Sequence, residues 1–168
     1  MITIISGTNR HDSMTLRVAQ LYLQLLQEVQ APGTVKLLNL EDHTVWVRDE
    51  AFRDMEATYL IPAEKFVFVM PEYNGSFPGI LKLMMDNSDI RKAFWHKKAA
   101  LTGLADGRAG NLRGLDHMTN ILNYLKILVW HHKIPISRIN EIVHPNGHLL
   151  QPDTEALIQQ HIAEIIAF

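Results

Sequence analysis

Phe66-Val67-Phe68-Val69-Met70-Pro71-Glu72-Tyr73-Asn74-Gly75-Ser76-Phe77-Pro78-Gly79 is the stretch on which the fold turns. Phe66 to Met70 is unbroken apolar sequence, rich in β-favouring residues. It lacks the alternation of a strand with one wet face. A run of this kind fits a strand covered on both sides, as in a parallel sheet. Pro71 to Ser76 is dense in turn formers. Pro78 follows near a helix start, where its missing N–H does no harm. Ile80, Leu83 and Met84 then recur at helical spacing. The unit is strand, polar loop, helix.

The same unit repeats on both sides. Ile2 to Ser6 is a short β-branched strand, Gly7 to Ser13 a polar loop, and Leu16, Ala19, Leu23 and Leu26 a helical stripe. Val18, Tyr22, Leu25 and Val29 widen that stripe, and Pro32-Gly33 ends it. Val35 to Leu40 reads as a second strand and Glu50 to Tyr59 as a short helix. Lys98 to Thr102 reads as the fourth strand, with Gly103 to Gly110 as its loop. Leu115, Met118, Leu122, Leu125 and Val129 form the next stripe. Ile134 to Val143 contains a fifth strand, weakened at its start by Pro135. A last helix begins near Asp153 as N-cap and buries Leu157, Ile158, Ile162 and Ile165.

Alternation of this kind predicts an α/β domain: a doubly wound, five-stranded parallel sheet in a three-layer α/β/α sandwich, one domain over residues 1–168. Ligands bind such sheets outside the carboxyl ends of the strands, where strand order reverses. The loops Gly7 to Ser13, Pro71 to Gly79 and Thr102 to Gly110 all lie at that edge.

Composition narrows the class. Lys and Arg number 16 against 18 Asp and Glu, a formal charge of -2. That balance argues against a general nucleic-acid binder. No cysteine is present, which rules out a disulfide framework, a thiolate metal site or a cysteine nucleophile. The apolar run at Met1 to Ile5 stops too early for a signal peptide, and no stretch approaches the ~18 apolar residues of a membrane span. The expectation is a soluble cytoplasmic protein.

In the first loop, Thr8 and Ser13 offer hydroxyls, Arg10 a guanidinium fork, and the following helix a positive N-terminus. Together they suit a phosphate. Ser13 or Asp12 could equally be an ordinary helix cap. The loop matches neither GxGxxG nor GxxxxGK[ST], which disfavours an NAD-binding Rossmann domain and a nucleotide triphosphatase. The second loop is stiffened by two prolines and opened by two glycines. Its backbone could read the polar edge of a planar ring such as flavin, with Tyr73 as a wall and Asn74 as a further polar contact. A tight structural turn is the other reading.

The stretch PEYNGSFPGILK, Pro71 to Lys82, closely resembles the signature of the NADPH-dependent FMN reductase family, a flavodoxin-like group that includes azoreductases, chromate reductases and quinone reductases. The family's first loop reads G-S-x-R-x-x-S; here it is Gly7-Thr8-Asn9-Arg10-His11-Asp12-Ser13, with a hydroxyl kept at Thr8. Leu83 stands where the family usually has Asn, and Asp86 matches. The resemblance implies a flavodoxin-like fold and FMN as cofactor. It places Thr8, Arg10, Ser13, Met14, Thr15 and Leu16 around the phosphate and ribityl chain. It places Pro71, Glu72, Tyr73, Asn74, Gly75 and Ser76 along the isoalloxazine ring. Thr102, Gly103 and Gly107 would supply backbone from the third loop. It also implies a homodimer or homotetramer.

The implied activity is hydride transfer from NADPH or NADH, through FMN, to a small-molecule acceptor such as flavin, quinone or azo compound, in a ping-pong scheme. No side chain need serve as nucleophile, acid or base. Arg108 could meet a nicotinamide phosphate or an acidic acceptor, or remain a solvated charge. An electron carrier like flavodoxin is the alternative; the -2 charge and Arg10 count against it. Nine histidines invite a metal reading, but His131 and His132 are adjacent, and Pro145 and Gly147 interrupt His144 and His148. No metal site is expected.

Overall fold

The β-branched and aromatic runs form the strands. In the computed structural model, which describes residues 1–141 and 151–168, these are β1 (Ile2–Ser6), β2 (Val35–Asn39), β3 (Lys65–Pro71) and β4 (Lys98–Leu104). All pair in parallel, in the order β2-β1-β3-β4. Ile5 stands beside Phe68, and Phe68 beside Leu101. Strand order reverses between β1 and β3, so the loops after these two strands flank the expected ligand crevice.

The fifth strand position differs from the sequence expectation. It is filled by two short pieces on the free side of β4. β5 (Leu128–Val129) pairs with Lys98–Ala99, and β6 (Ile134–Ile136) pairs with Thr102–Leu104. The proposed strand beyond Ile136 continues as loop to Glu141, and its remainder lies outside the described residues. Pro135 sits in β6, which among the described residues pairs with β4 alone, the edge position in which proline is tolerated. Val129, assigned from the sequence to a helical stripe, belongs to β5. The preceding helix α5 (Leu112–Tyr124) ends because Lys126 takes a left-handed φ of 60. The Lys126 N–H then bonds the Asn123 carbonyl and the Ile127 N–H bonds that of Leu122. This is a Schellman closure with lysine at the position that usually holds glycine.

Helices cover both faces. Phe66, Phe68 and Met70 point into a core shared with Phe52 and Met55 of α2 (Glu50–Met55), Leu81 and Met84 of α3 (Gly79–Asn87), and Leu115 and Met118 of α5. Val67 and Val69 point the other way, toward Val18, Tyr22 and Leu26 of α1 (Met14–Val29) and Ile158, Ile162 and Ile165 of the C-terminal helix (Pro152–Ala167). A short helix α4 (Ile90–Ala93) leads into β4, so the C-terminal helix is α6. Each fully buried side chain of this size contributes about 1.5–3 kcal/mol of burial free energy.

The ends of α6 also depart from expectation. Its cap residue is Gln151, with Pro152 in the first turn. Asp153 lies inside that turn, where its charge favours the positive helix end. The buried stripe is Ile158, His161, Ile162 and Ile165, while Leu157 is exposed. The helix read at 50–59 is α2 continued by a π-helical turn, Glu56–Leu60. Among the described residues no helix is long and apolar enough to cross a membrane.

Candidate functional site

Ser13 caps α1: its Oγ accepts the Leu16 N–H at 3.1 Å from an extended backbone. The cap uses a lone pair and leaves the hydroxyl proton for a ligand. Two carboxylates beside it have side-chain partners. Asp12 takes the Arg17 guanidinium at 2.9 Å, which holds its carboxyl below the usual range. Glu41 takes Nδ1 of His11 at 2.6 Å, and that bond raises the pKa of the imidazole. Among the described residues Arg10 forms no ion pair. The loop therefore presents an unpaired cation beside a helix N-terminus, a setting that attracts anions.

The second loop is built as a hairpin. Tyr73 and Ser76 exchange backbone hydrogen bonds, Tyr73 N–H to Ser76 O at 2.8 Å and Ser76 N–H to Tyr73 O at 3.1 Å. Asn74 and Gly75 between them have φ of 52 and 77. Positive φ at both central positions defines the two-residue turn for which Asn-Gly is the preferred pair. This turn aims Tyr73 back at the first loop. Its hydroxyl meets Thr8 Oγ1 at 2.6 Å, and the Arg10 guanidinium lies 4.1 Å from its ring centroid. A cation–π contact of this kind holds the guanidinium over the ring. One side chain thereby links both loops.

The third loop closes the cleft. The Glu72 N–H donates to Leu104 O at 2.7 Å, which joins the ends of β3 and β4, and Asn111 Nδ2 donates to Met70 O at 3.0 Å, which ties the start of α5 to β3. The segment after β6 folds over the loop: the Ile139 N–H reaches Ala105 O at 3.0 Å and Asn140 Nδ2 reaches Asp106 at 2.9 Å. Between the loops opens a cleft of about 260 Å³.

Of the residues proposed from sequence, Arg10, Ser13, Met14, Thr15, Pro71, Glu72 and Tyr73 line this cleft. Thr8 lies beneath it, fully buried, and holds Tyr73. Leu16 is half-buried behind the cap. Asn74, Gly75 and Ser76 form the hairpin tip beside the cleft, where Ser76 Oγ meets Nδ1 of His117 at 2.9 Å. Gly107 lies in the exposed part of the third loop.

Thr102 and Gly103 are different. Thr102 is fully buried on the α1/α6 side and bonds the Tyr22 hydroxyl at 2.8 Å; that hydroxyl also meets Nδ1 of His161 at 2.8 Å. Its side chain is engaged in the core and does not face the cleft. Gly103 is needed for packing: a Cβ there would stand 2.7 Å from the Gly110 carbonyl oxygen.

Sequence reasoning missed His11, Leu104, Ala105, Asp106, Ile139 and Asn140 as lining residues. Ala105 and Asp106 fall in a loop already read as part of the edge. Ile139 and Asn140 carry no local signal, because only the crossing of the chain after β6 brings them in. Among the described residues no group of three His, Asp or Glu side chains is placed to hold a metal ion. His144 and His148 lie outside the described residues. His132 serves structure, its Nδ1 on Glu164 at 2.8 Å.

Comparison with known proteins places these features in context. The family model described as NADPH-dependent FMN reductase matches residues 1–141. An NAD(P)H-dependent FMN reductase of Pseudomonas aeruginosa is 31% identical over 103 residues, and the match spans 60% of this chain and 56% of that protein. A 2-hydroxy-1,4-benzoquinone reductase of a Burkholderia species is 26% identical over 174 residues, spanning 99% of this chain and 94% of that one. Among solved structures, a flavoenzyme NAD(P)H:(acceptor) oxidoreductase from Paracoccus denitrificans superposes with a TM-score of 0.77 at 17% identity, covering 99% of this chain and 94% of that one. Identity at that level shows the shared flavodoxin-like fold alone.

Proposed function

Because the chain belongs to the NADPH-dependent FMN reductase family, we propose that its three-loop cleft holds FMN and serves NAD(P)H-dependent reduction of small-molecule acceptors. One observation carries this reading. Among the described residues Arg10 stands without an ion-pair partner at the N-terminus of α1, while Asp12 is paired with Arg17 and Glu41 is hydrogen-bonded to His11. A phosphate ester fits that donor set, and the cleft beside it is walled by Tyr73 and by backbone from all three loops.

When bound, FMN would supply the hydride chemistry between nicotinamide and acceptor. The protein's part is to hold and orient. Arg10 and the Ser13 hydroxyl grip the phosphate through charge-assisted hydrogen bonds. Met14, Thr15, Pro71 and Glu72 set the depth of the cleft, and Tyr73 sets its wall. No side chain is required as a nucleophile. The cleft is open to solvent, so the nicotinamide donor and the acceptor use it in turn, as a ping-pong scheme demands.

Quinones and azo compounds are the acceptor classes best supported, by the names of the Burkholderia relative and of an FMN-dependent NADH-azoreductase from Bacillus anthracis with the same fold (TM-score 0.69, 15% identity, covering 98% of this chain and 99% of that one). A cytoplasmic setting, a single domain over residues 1–168 and a homodimer or homotetramer complete the proposal. The family match sets aside the electron-carrier alternative. Steady-state oxidation of NADPH with a benzoquinone or an azo dye tests the reading. Turnover that is lost when the flavin is stripped and returns with FMN supports it; flavin-stripped protein that turns over as fast as the FMN-loaded protein contradicts it.

A further inference from the structure

A nicotinamide dinucleotide carries two or three phosphate groups, and hydride transfer requires it to lie on surface continuous with the flavin cleft. Most cations around the three loops are already engaged. Arg17 is paired with Asp12, Lys82 with Asp86 and Arg138 with Glu141. Arg10 lies over Tyr73, inside the flavin phosphate site. Among the described residues Arg108, exposed in the third loop, and Arg113 form no ion pair, and Arg113 is the one packed against the hairpin with an imidazole beside it.

Arg113 is exposed in the first turn of α5, against the hairpin tip: a Cβ built on Gly75 would stand 3.8 Å from its Nη1. His117 lies one turn further along the same helix face, a spacing that makes the two side chains neighbours. It too is exposed, and its Nδ1 meets Ser76 Oγ at 2.9 Å. When Nδ1 accepts the serine proton, the ring's Nε2 carries the free N–H. A guanidinium fork and an imidazole donor therefore stand side by side, next to the loop whose Tyr73 walls the cleft. Asp116 lies between them in sequence and forms no ion pair with Arg113.

We propose that Arg113 and His117 form the binding site for a phosphate of the nicotinamide dinucleotide, on the α5 side of the hairpin. The role as hydride-donor site rests on the reductase reading; the anion site does not. The guanidinium takes two phosphate oxygens and the imidazole N–H a third. The phosphate is either the 2′-phosphate, present only in NADPH, or the pyrophosphate common to both donors.

Two measurements on the full chain test this. Anaerobic stopped-flow bleaching of FMN-loaded protein gives Kd for NADPH and for NADH, in wild type, Arg113→Ala, Arg113→Lys and His117→Asn. Calorimetric titration with adenosine 2′,5′-bisphosphate and with ADP reads the same site without flavin chemistry. We expect Arg113→Ala to raise the NADPH Kd about tenfold, a loss of about 1.4 kcal/mol, with FMN uptake unchanged and part of the loss restored by lysine. Weakening of NADPH and the 2′,5′-bisphosphate alone assigns the 2′-phosphate. Equal weakening of both donors and of ADP assigns the pyrophosphate. Unchanged affinities for every ligand overturn the proposal. Nucleotide binding that depends on Arg113 in a protein that never bleaches flavin would retain the anion site and sink the reductase reading.

Discussion

Thr8 meets the Tyr73 hydroxyl at 2.6 Å, and Thr102 meets the Tyr22 hydroxyl at 2.8 Å. Both threonines are fully buried near the carboxyl ends of strands. The two pairs nevertheless do different work. Tyr22 passes its second bond to His161, whose Nε2 meets His132 O at 3.2 Å, while Nδ1 of His132 and the indole N–H of Trp130 both reach Glu164 Oε2. Each side chain of that chain meets a partner within the protein. Tyr73 carries Arg10 on its ring, and among the described residues the guanidinium has no anion partner. A closed polar network fastens α6 and α1 to β4; an open one is available to a ligand. Valence left over, and not residue type, separates the structural pair from the functional pair.

That contrast can be broken from either side. The largest expected effect is on the closed network. Burial drives the pKa of His161 down to about 4, with His132 adding to the shift and Glu164 opposing it. The ring is therefore neutral in the fold, whereas the unfolded chain titrates near 6.5. Between these values the unfolded state binds the extra proton. Stability is full above about pH 6.5, falls as pH drops, and levels off below about pH 4, having lost about 3 kcal/mol. Denaturant unfolding at pH 7 and pH 4.5 would show this. His161→Gln should flatten the part of the profile that belongs to the ring, and an unaltered slope would remove His161 as its source.

Arg10→Ala comes next. It should weaken FMN binding by about 1–3 kcal/mol, the range for a lost charge-assisted hydrogen bond, and leave the melting temperature nearly unchanged. Equal affinities in a fluorescence titration would refute the phosphate assignment. Tyr22→Phe should do the reverse, lowering stability by about 1–2 kcal/mol through its unpaired partners while FMN affinity stays at the wild-type value. A loss of flavin binding in that variant would join the two networks that the structure separates.

Much of this was legible in the chain. The strand–loop–helix repeat announced the doubly wound sheet, since periodicity reports burial directly. The first two loops announced the site because their chemistry is local: a cap serine, a lone arginine and an Asn-Gly turn within a few residues of each other. Thr102 looked like its counterpart Thr8, and only the packing of Tyr22 and His161, 80 and 59 residues away in sequence, reveals its other use. The split fifth strand was hidden because Leu122, Leu125 and Val129 keep helical spacing across a left-handed Lys126. His161 escaped the reading of the last helix because a buried histidine is polar by type and apolar by position. Asn140 and Ile139 reach the cleft through tertiary folding that no local pattern encodes.

The most direct measurement is the absorbance of FMN-loaded protein under anaerobic conditions before and after NADPH is added. The account predicts that flavin binds and that its bands bleach, with full recovery when a quinone is supplied. Protein that binds no flavin, or holds it oxidised in the presence of NADPH, would contradict it.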